Sequence, residues 1–193
     1  MNLKTSFEPA GITYQQSRIA HWDSIARKRD RWNGMGQWYH KRLEEVYRFL
    51  VSPGLRVLEL GCSDGNLLAA LKPSRGIGVD FSSEMIHRAM ERHRQLEFIH
   101  ADAHDLSEIR ETFDVIILSD LVNDLWDVQR VLEQLQPLCT ERTRIILNFY
   151  SRLWQTPLNV ARSLNLATSN LYQNWLTRED MHGLLLLAGF EPI

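Results

Sequence analysis

The sequence predicts a doubly wound α/β fold with a mostly parallel sheet, on three observations. Short apolar runs alternate with helical stretches across residues 56–149, the pattern of parallel strands joined by helical crossovers. Runs such as Val115-Ile116-Ile117-Leu118 are apolar throughout, as strands covered on both faces must be. The run Val57-Leu58-Glu59-Leu60 passes into a turn bounded by Gly61 and Gly65, and Asp80 ends the following apolar run twenty-one residues after Glu59. Glycines at such a turn let the backbone pass close to a ligand, and the next helix offers free N–H donors to a negative group. An acid ending the second strand can accept hydrogen bonds from two ribose hydroxyls, which is the logic of nucleoside-cofactor binding.

Taken in order, residues 1–14 read as irregular. Residues 15–30 and 38–51 read as helices separated by Asn33-Gly34-Met35-Gly36. In the second, Tyr39, Leu43, Val46, Tyr47 and Leu50 recur at helical spacing and would line one buried face, and Ser52-Pro53-Gly54 ends it. Then come strand 56–60, helix 66–71, strand 76–80, helix 83–92, strand 96–100, strand 114–119, helix 125–138 and strand 143–149. A last helix starts at Thr177, an N-cap with acids following it, takes its apolar content from Met181, Leu184, Leu185 and Leu187, and stops at Gly189. We divide the chain into a helical N-terminal cap, 1–52, and a cofactor-binding core, 53–193, within one domain.

Composition narrows the function classes. At 193 residues, one domain with a sizeable core is the economical reading, and 44% hydrophobic with 24% charged residues is ordinary for a globular protein. A net charge of −2 argues against a general nucleic-acid binder. No run is long and apolar enough for a signal core or membrane insertion, and two cysteines, Cys62 and Cys139, fit a reducing, cytoplasmic location. The lack of a third glycine in the turn disfavours a nicotinamide-dependent reductase.

The turn Glu59-Leu60-Gly61-Cys62-Ser63-Asp64-Gly65 resembles the first motif of class I S-adenosylmethionine (SAM)-dependent methyltransferases, with Ser63 where that family often has a middle glycine. The resemblance implies a Rossmann-like methyltransferase core over about residues 37–193, with SAM as cofactor. It implies that Glu59 faces the amino end of the cofactor's methionine and that Asp80 holds the ribose. Phe98-Ile99-His100-Ala101-Asp102-Ala103 resembles the third-strand motif, in which Asp102 would take the adenine amino group and the Ala103 N–H would meet the ring. Cys62, Phe81, Met85 and Ser119 complete the expected cofactor set with Gly61 and Gly65. Family resemblance also makes residues 190–193 the start of a sixth strand, with nothing left for an antiparallel seventh. Either the chain continues in a longer polypeptide, the reading we favour, or strand 143–149 keeps an open edge on which a homodimer can form.

Candidate catalytic groups follow the fourth strand. Asp120, Asn123 and Asp124 would stand where ligands meet the sheet, able to bind an acceptor or serve as base, and as able to cap a helix. His40, at the start of the second helix, is a further candidate base. No metal is expected, since the Asp-Asn pair of catechol-type enzymes is replaced by Asn148-Phe149. His21-Trp22-Asp23-Ser24-Ile25-Ala26 partly resembles a stretch that closes over the cofactor in small-molecule methyltransferases. Residues 27–31 carry a basic cluster that is either a solvated face or a site for an anionic acceptor. Trp126, Trp154 and Trp175 are core or sugar-stacking rings.

Residues 117–128, 147–154 and 173–176 are similar to bacterial methyltransferase domains attached to, or encoded beside, family 2 glycosyltransferases. That similarity implies a small-molecule or glycan-related acceptor, methylated on oxygen. An N- or C-directed small-molecule methyltransferase and a non-catalytic SAM-binding module supporting a partner domain are the alternatives.

Overall fold

The computed structural model describes residues 8–28, 35–150, 152, 155–156, 171 and 173–193. Five strands, β1 (Arg56–Leu60), β2 (Arg75–Asp80), β3 (Glu97–His100), β4 (Val115–Ser119) and β5 (Arg144–Asn148), form one sheet in the order β3-β2-β1-β4-β5. All four pairings are parallel, with Val57 beside Gly76 and Val115 in the central three strands. The chain winds outward from β1 to β3, then crosses back to place β4 on the other side of β1. The strand order therefore reverses between β1 and β4, the place where such sheets open a ligand crevice at their carboxyl ends.

Period-two alternation builds a core on each face. Leu58, Leu60, Ile116 and Leu118 point to one side, where they meet Val131, Leu132 and Leu135 of α5 (Val128–Leu135) and Met181 of α6 (Arg178–Leu187). Val57, Val115 and Ile117 point to the other, against Tyr47 of α2 (Met35–Leu50), Leu68 of α3 (Asn66–Ala70), and Ile86 and Ala89 of α4 (Ser83–Arg92). The edge strands β3 and β5 are partly exposed.

Local chemistry sets the helix starts. Ser82 caps α4 by accepting from the Met85 N–H, and Asp127 caps α5 by accepting from the Arg130 N–H. Thr177 and Asp180 form the reciprocal capping box of α6. Gly189 follows that helix with φ +79°, and Leu187, expected inside, is 76% exposed.

Three elements differ from expectation. The first helix, α1, runs from Glu8 to Lys28 and so takes in half of the stretch read as irregular. The single helix 125–138 is broken: a 3-10 turn spans Val122–Asp124, Leu125 is extended, α5 occupies Val128–Leu135, and a second 3-10 turn carries Pro137 at its start. Residues 190–193 form no strand, and among the described residues β5 pairs only with β4. Asn33-Gly34, Ser151, Leu153 and Trp154 lie outside the described residues, as does the basic cluster apart from the helical backbone of Arg27 and Lys28.

Candidate active site at the carboxyl edge of the sheet

The turn after β1 is held by backbone. The N–H groups of Gly61 and Cys62 both donate to the Val79 carbonyl, at 2.8 and 3.0 Å, which ties the turn to the end of β2. Gly61, Ser63 and Gly65 all have positive φ, of 70°, 51° and 74°. Ser63 thus adopts the left-handed conformation that a glycine takes without cost. Its N–H donates to Asp80 Oδ2 at 2.9 Å and its hydroxyl contacts Met85 Sδ, two contacts that secure the strained residue.

Glu59 and Gly65 serve this turn from beneath. Gly65 caps α3 with no side chain, and the Glu59 carboxylate takes over by accepting from the Leu68 N–H. Glu59 is buried, and its Oε2 has no hydrogen-bond partner among the described residues. Burial pushes its carboxyl well above the usual range, and the nearby Asp64 and Asp80 carboxylates add to that. A Cβ on Gly65 would stand 2.6 Å from Phe98 Cζ, and one on Gly78 would stand 2.7 Å from Phe98 Cδ1. The Phe98 ring fills the space that these two glycines leave, with Cys62 Sγ beside it. The missing Gly65 side chain therefore lets the turn pack closely against β3.

Above the turn lies a cavity of about 590 Å³, within the range of small-molecule sites. Gly61, Asp80, Phe81, Asp102 and Ala103 line it together, with Leu121, Trp126 and Asp127 opposite. A Cβ on Gly61 would meet Leu121 Cδ1 at 3.0 Å, so glycine keeps this mouth open. Asp80 is fixed by two backbone donors, Ser63 N–H on Oδ2 and Ser82 N–H on Oδ1, each at 2.9 Å. Each oxygen keeps a lone pair for a hydroxyl. Burial raises the Asp80 carboxyl above its ordinary value against the pull of those two N–H groups.

Asp102 is held as firmly. Its Oδ1 accepts from the His104 N–H at 2.8 Å and lies 2.5 Å from His104 Nδ1, and its Oδ2 accepts from the Gln15 amide. Burial raises the Asp102 carboxyl, but the hydrogen bonds from His104 outweigh it and leave the group below the usual carboxylate range.

One wall comes from α1, where helical spacing puts Tyr14, Arg18 and Trp22 on one face. Arg18 Nη1 donates to Asp124 Oδ1 at 2.5 Å in a buried ion pair, with the guanidinium 4.3 Å from the centre of the Tyr14 ring. The Tyr14 ring packs on Trp126, and Asp23 accepts from the Ser82 hydroxyl. Burial raises the Asp124 carboxyl, and Arg18 offsets part of that rise.

A second polar cluster stands at the ends of β4 and β5. Asp120, with φ +54°, accepts from the Tyr39 hydroxyl at 2.8 Å and from Asn148 Nδ2 at 2.5 Å. Asn148 Oδ1 in turn accepts from the Tyr47 hydroxyl at 2.6 Å, and Ser119 also bonds Tyr47. The Tyr39 and Tyr150 rings stack, with centroids 6.1 Å apart. Burial pushes the Asp120 carboxyl up to about 6, although Tyr39 and Asn148 pull the other way. The Asp124 carboxylate adds to the rise.

The sequence-derived candidates thus separate into groups. Gly61, Asp80, Phe81, Asp102 and Ala103 meet on the cavity wall, while Glu59, Cys62, Gly65 and Met85 support it from below. Ser119 and Asp120 belong to the second cluster. Asn123 is buried and spent on backbone: its amide donates to the carbonyls of Tyr150 and Asn174 and accepts from the Tyr150 N–H. His40 is exposed, its ring edge-on to Tyr39. Gln15, Arg18, His104, Tyr39 and Asn148 are additional members. Only His104 carried a local signal, the Asp-x-His spacing.

The SAM molecule fits these residues by donor and acceptor type. Two carboxylates on neighbouring strand ends, one with free lone pairs and one accepting from an amide N–H, suit a ribose diol and an amino group.

Comparison with known proteins agrees. A model of a family described as a methyltransferase domain matches residues 51–182. A demethylmenaquinone methyltransferase of Thermotoga maritima is 32% identical over 135 residues, 65% of this chain and 58% of that protein. A phosphatidylethanolamine N-methyltransferase of Cereibacter sphaeroides is 28% identical over 142 residues, 67% of this chain and 70% of that one. The chain thus spans well under two thirds of the first of these relatives. Among solved structures, magnesium protoporphyrin IX methyltransferase from Synechocystis with bound SAH superposes with a TM-score of 0.72 at 18% identity, covering 92% of this chain and 90% of that one, a likeness of fold. With the family model matching more than half of its length, the chain belongs to the class I SAM-dependent methyltransferases.

Proposed function

We propose that this chain transfers a methyl group from SAM to a small-molecule or glycan-related acceptor, on oxygen. The observation that carries the reading is the pair of fixed carboxylates, Asp80 and Asp102, on one cavity at the point where the strand order reverses. When bound, SAM supplies a methyl group already activated by its sulfonium. Asp80 would hold the ribose hydroxyls, Asp102 the adenine amino group and the Ala103 N–H the ring. Glu59 would face the amino end of the cofactor's methionine while also fixing the start of α3, and α1 walls one side of the cavity.

An alcohol acceptor needs a group to take its proton. Asp120 is our candidate, since burial pushes its carboxyl up to about 6 and Tyr39 and Asn148 hold it in place. Asn123 is a positioning residue in this reading, and His40 a secondary candidate at the rim. The cap at 1–52 and the core at 53–193 would act as one unit, as α1 and Tyr39 both reach the site. A family 2 glycosyltransferase domain as partner, and a homodimer paired through the β5 edge, belong to the same proposal.

A second reading has support of its own. Relatives named as C- and N-methyltransferases favour transfer to carbon or nitrogen of a small molecule. Incubating the protein with methyl-labelled SAM and separate hydroxyl, quinol and amine acceptors, followed by mass spectrometry, decides among them. Label on a hydroxyl supports the first reading, and label only on carbon or nitrogen the second. SAM binding with no turnover on any acceptor would leave a non-catalytic SAM-binding module.

A further inference from the structure

We propose that His104 is a positioning residue of the cofactor cavity, a neutral imidazole that fastens the Asp102 carboxylate to the start of α5. The inference rests on the cofactor reading of that cavity. It begins with a constraint on the proton. The Asp127 backbone N–H donates to His104 Nε2 at 3.1 Å. A backbone N–H only donates, so Nε2 presents its lone pair and the ring proton sits on Nδ1. That proton points to Asp102 Oδ1, 2.5 Å away, the same oxygen that takes the His104 backbone N–H. One ring therefore joins two walls of the cavity, the segment after β3 and the N-cap of α5.

The consequence is a carboxylate with one committed and one available oxygen. Oδ1 is held from both sides by His104. Among the described residues Oδ2 accepts only the side-chain amide of Gln15, which comes from the far side of the cavity on α1. An amide N–H is the same kind of donor as an exocyclic amino group. The ligand's amino group can take the place of Gln15 while His104 keeps the carboxylate plane unchanged.

The charged groups around the ring are Asp102 and Asp105 on its own segment, Asp124, Asp127 and Arg130 from the stretch entering α5, Arg18 from α1 and Asp80 from β2. Comparison of variants separates the contribution of His104 from theirs.

The test is calorimetric titration of S-adenosylhomocysteine into the full chain and into His104→Ala and His104→Gln. Glutamine can donate to Asp102 or accept from Asp127. Expected results are a loss of about tenfold for His104→Ala and near-native affinity for His104→Gln. Native affinity in His104→Ala, or an equal loss in both variants, overturns the proposal. If His104→Ala melts out, near-native affinity in His104→Gln supports the proposal and a loss of about tenfold there overturns it. No binding by the wild type overturns the cofactor reading, and this inference with it.

Discussion

Replacing Gly65 with alanine separates two accounts of the cofactor turn. Motif resemblance alone makes this glycine a point of approach to the ligand. In the fold its missing side chain faces Phe98, with a Cβ placed 2.6 Å from Cζ and 2.7 Å from Cε1. Two penalties follow. An L residue at φ +74° costs about 1–2 kcal/mol. Forcing the buried Phe98 ring to move costs about 1–3 kcal/mol more, as in other overpacked cores. The sum, about 2–5 kcal/mol, lowers the melting temperature of a chain this size by about 4–20 °C. Pairing Gly65→Ala with Phe98→Leu should recover the steric part and leave the backbone part, so the two changes should couple by about 1 kcal/mol or more. The folded variant should still bind S-adenosylhomocysteine, because the new methyl points away from the cavity. A melting temperature unchanged from wild type refutes the reasoning. So does lost binding at native stability, which would return Gly65 to the ligand side.

The other expectations are more direct. If Asp120 is the base it must be ionised, so kcat/KM should fall as pH drops through about 6, and Asp120→Asn should lose about 10²–10⁴-fold in rate; a flat profile or an active Asp120→Asn removes Asp120 from that role. Activity should survive excess EDTA, given Asn148-Phe149 in place of an Asp-Asn pair; loss restored by magnesium would argue for a metal at Asp120. Light scattering should give twice the chain mass if β5 pairs across a dimer axis, and a monomer mass at working concentration would end that idea.

What could be read from sequence was what local chemistry demands. Gly61 and Gly65 have positive φ, Asp80 ends β2, Asp102 follows β3, and Thr177 caps its helix, and each requirement leaves a mark within a few residues. The two-faced burial of β1, β2 and β4 shows equally in their apolar runs. What escaped notice is joined by distance. Gln15 meets Asp102 across 87 residues and Arg18 meets Asp124 across 106, pairings with no periodic trace. Tyr39 and Tyr47 read as an apolar helix face, yet their hydroxyls end on Asp120 and Asn148. Asn123 illustrates the converse, since a polar residue in the right loop proved to be committed to backbone. The sequence hides the break at Leu125 because Asp127, the N-cap of α5, sits inside an otherwise continuous apolar pattern.

Titration calorimetry of SAM against wild type and Asp80→Ala tests the central claim most directly. One molecule of SAM should bind per chain. Removing Asp80 deletes charge-assisted hydrogen bonds worth about 1.5–3 kcal/mol, so the variant should bind about tenfold to a hundredfold more weakly with its fold intact. Equal affinity in Asp80→Ala, or heat with NADH and none with SAM, would contradict the account.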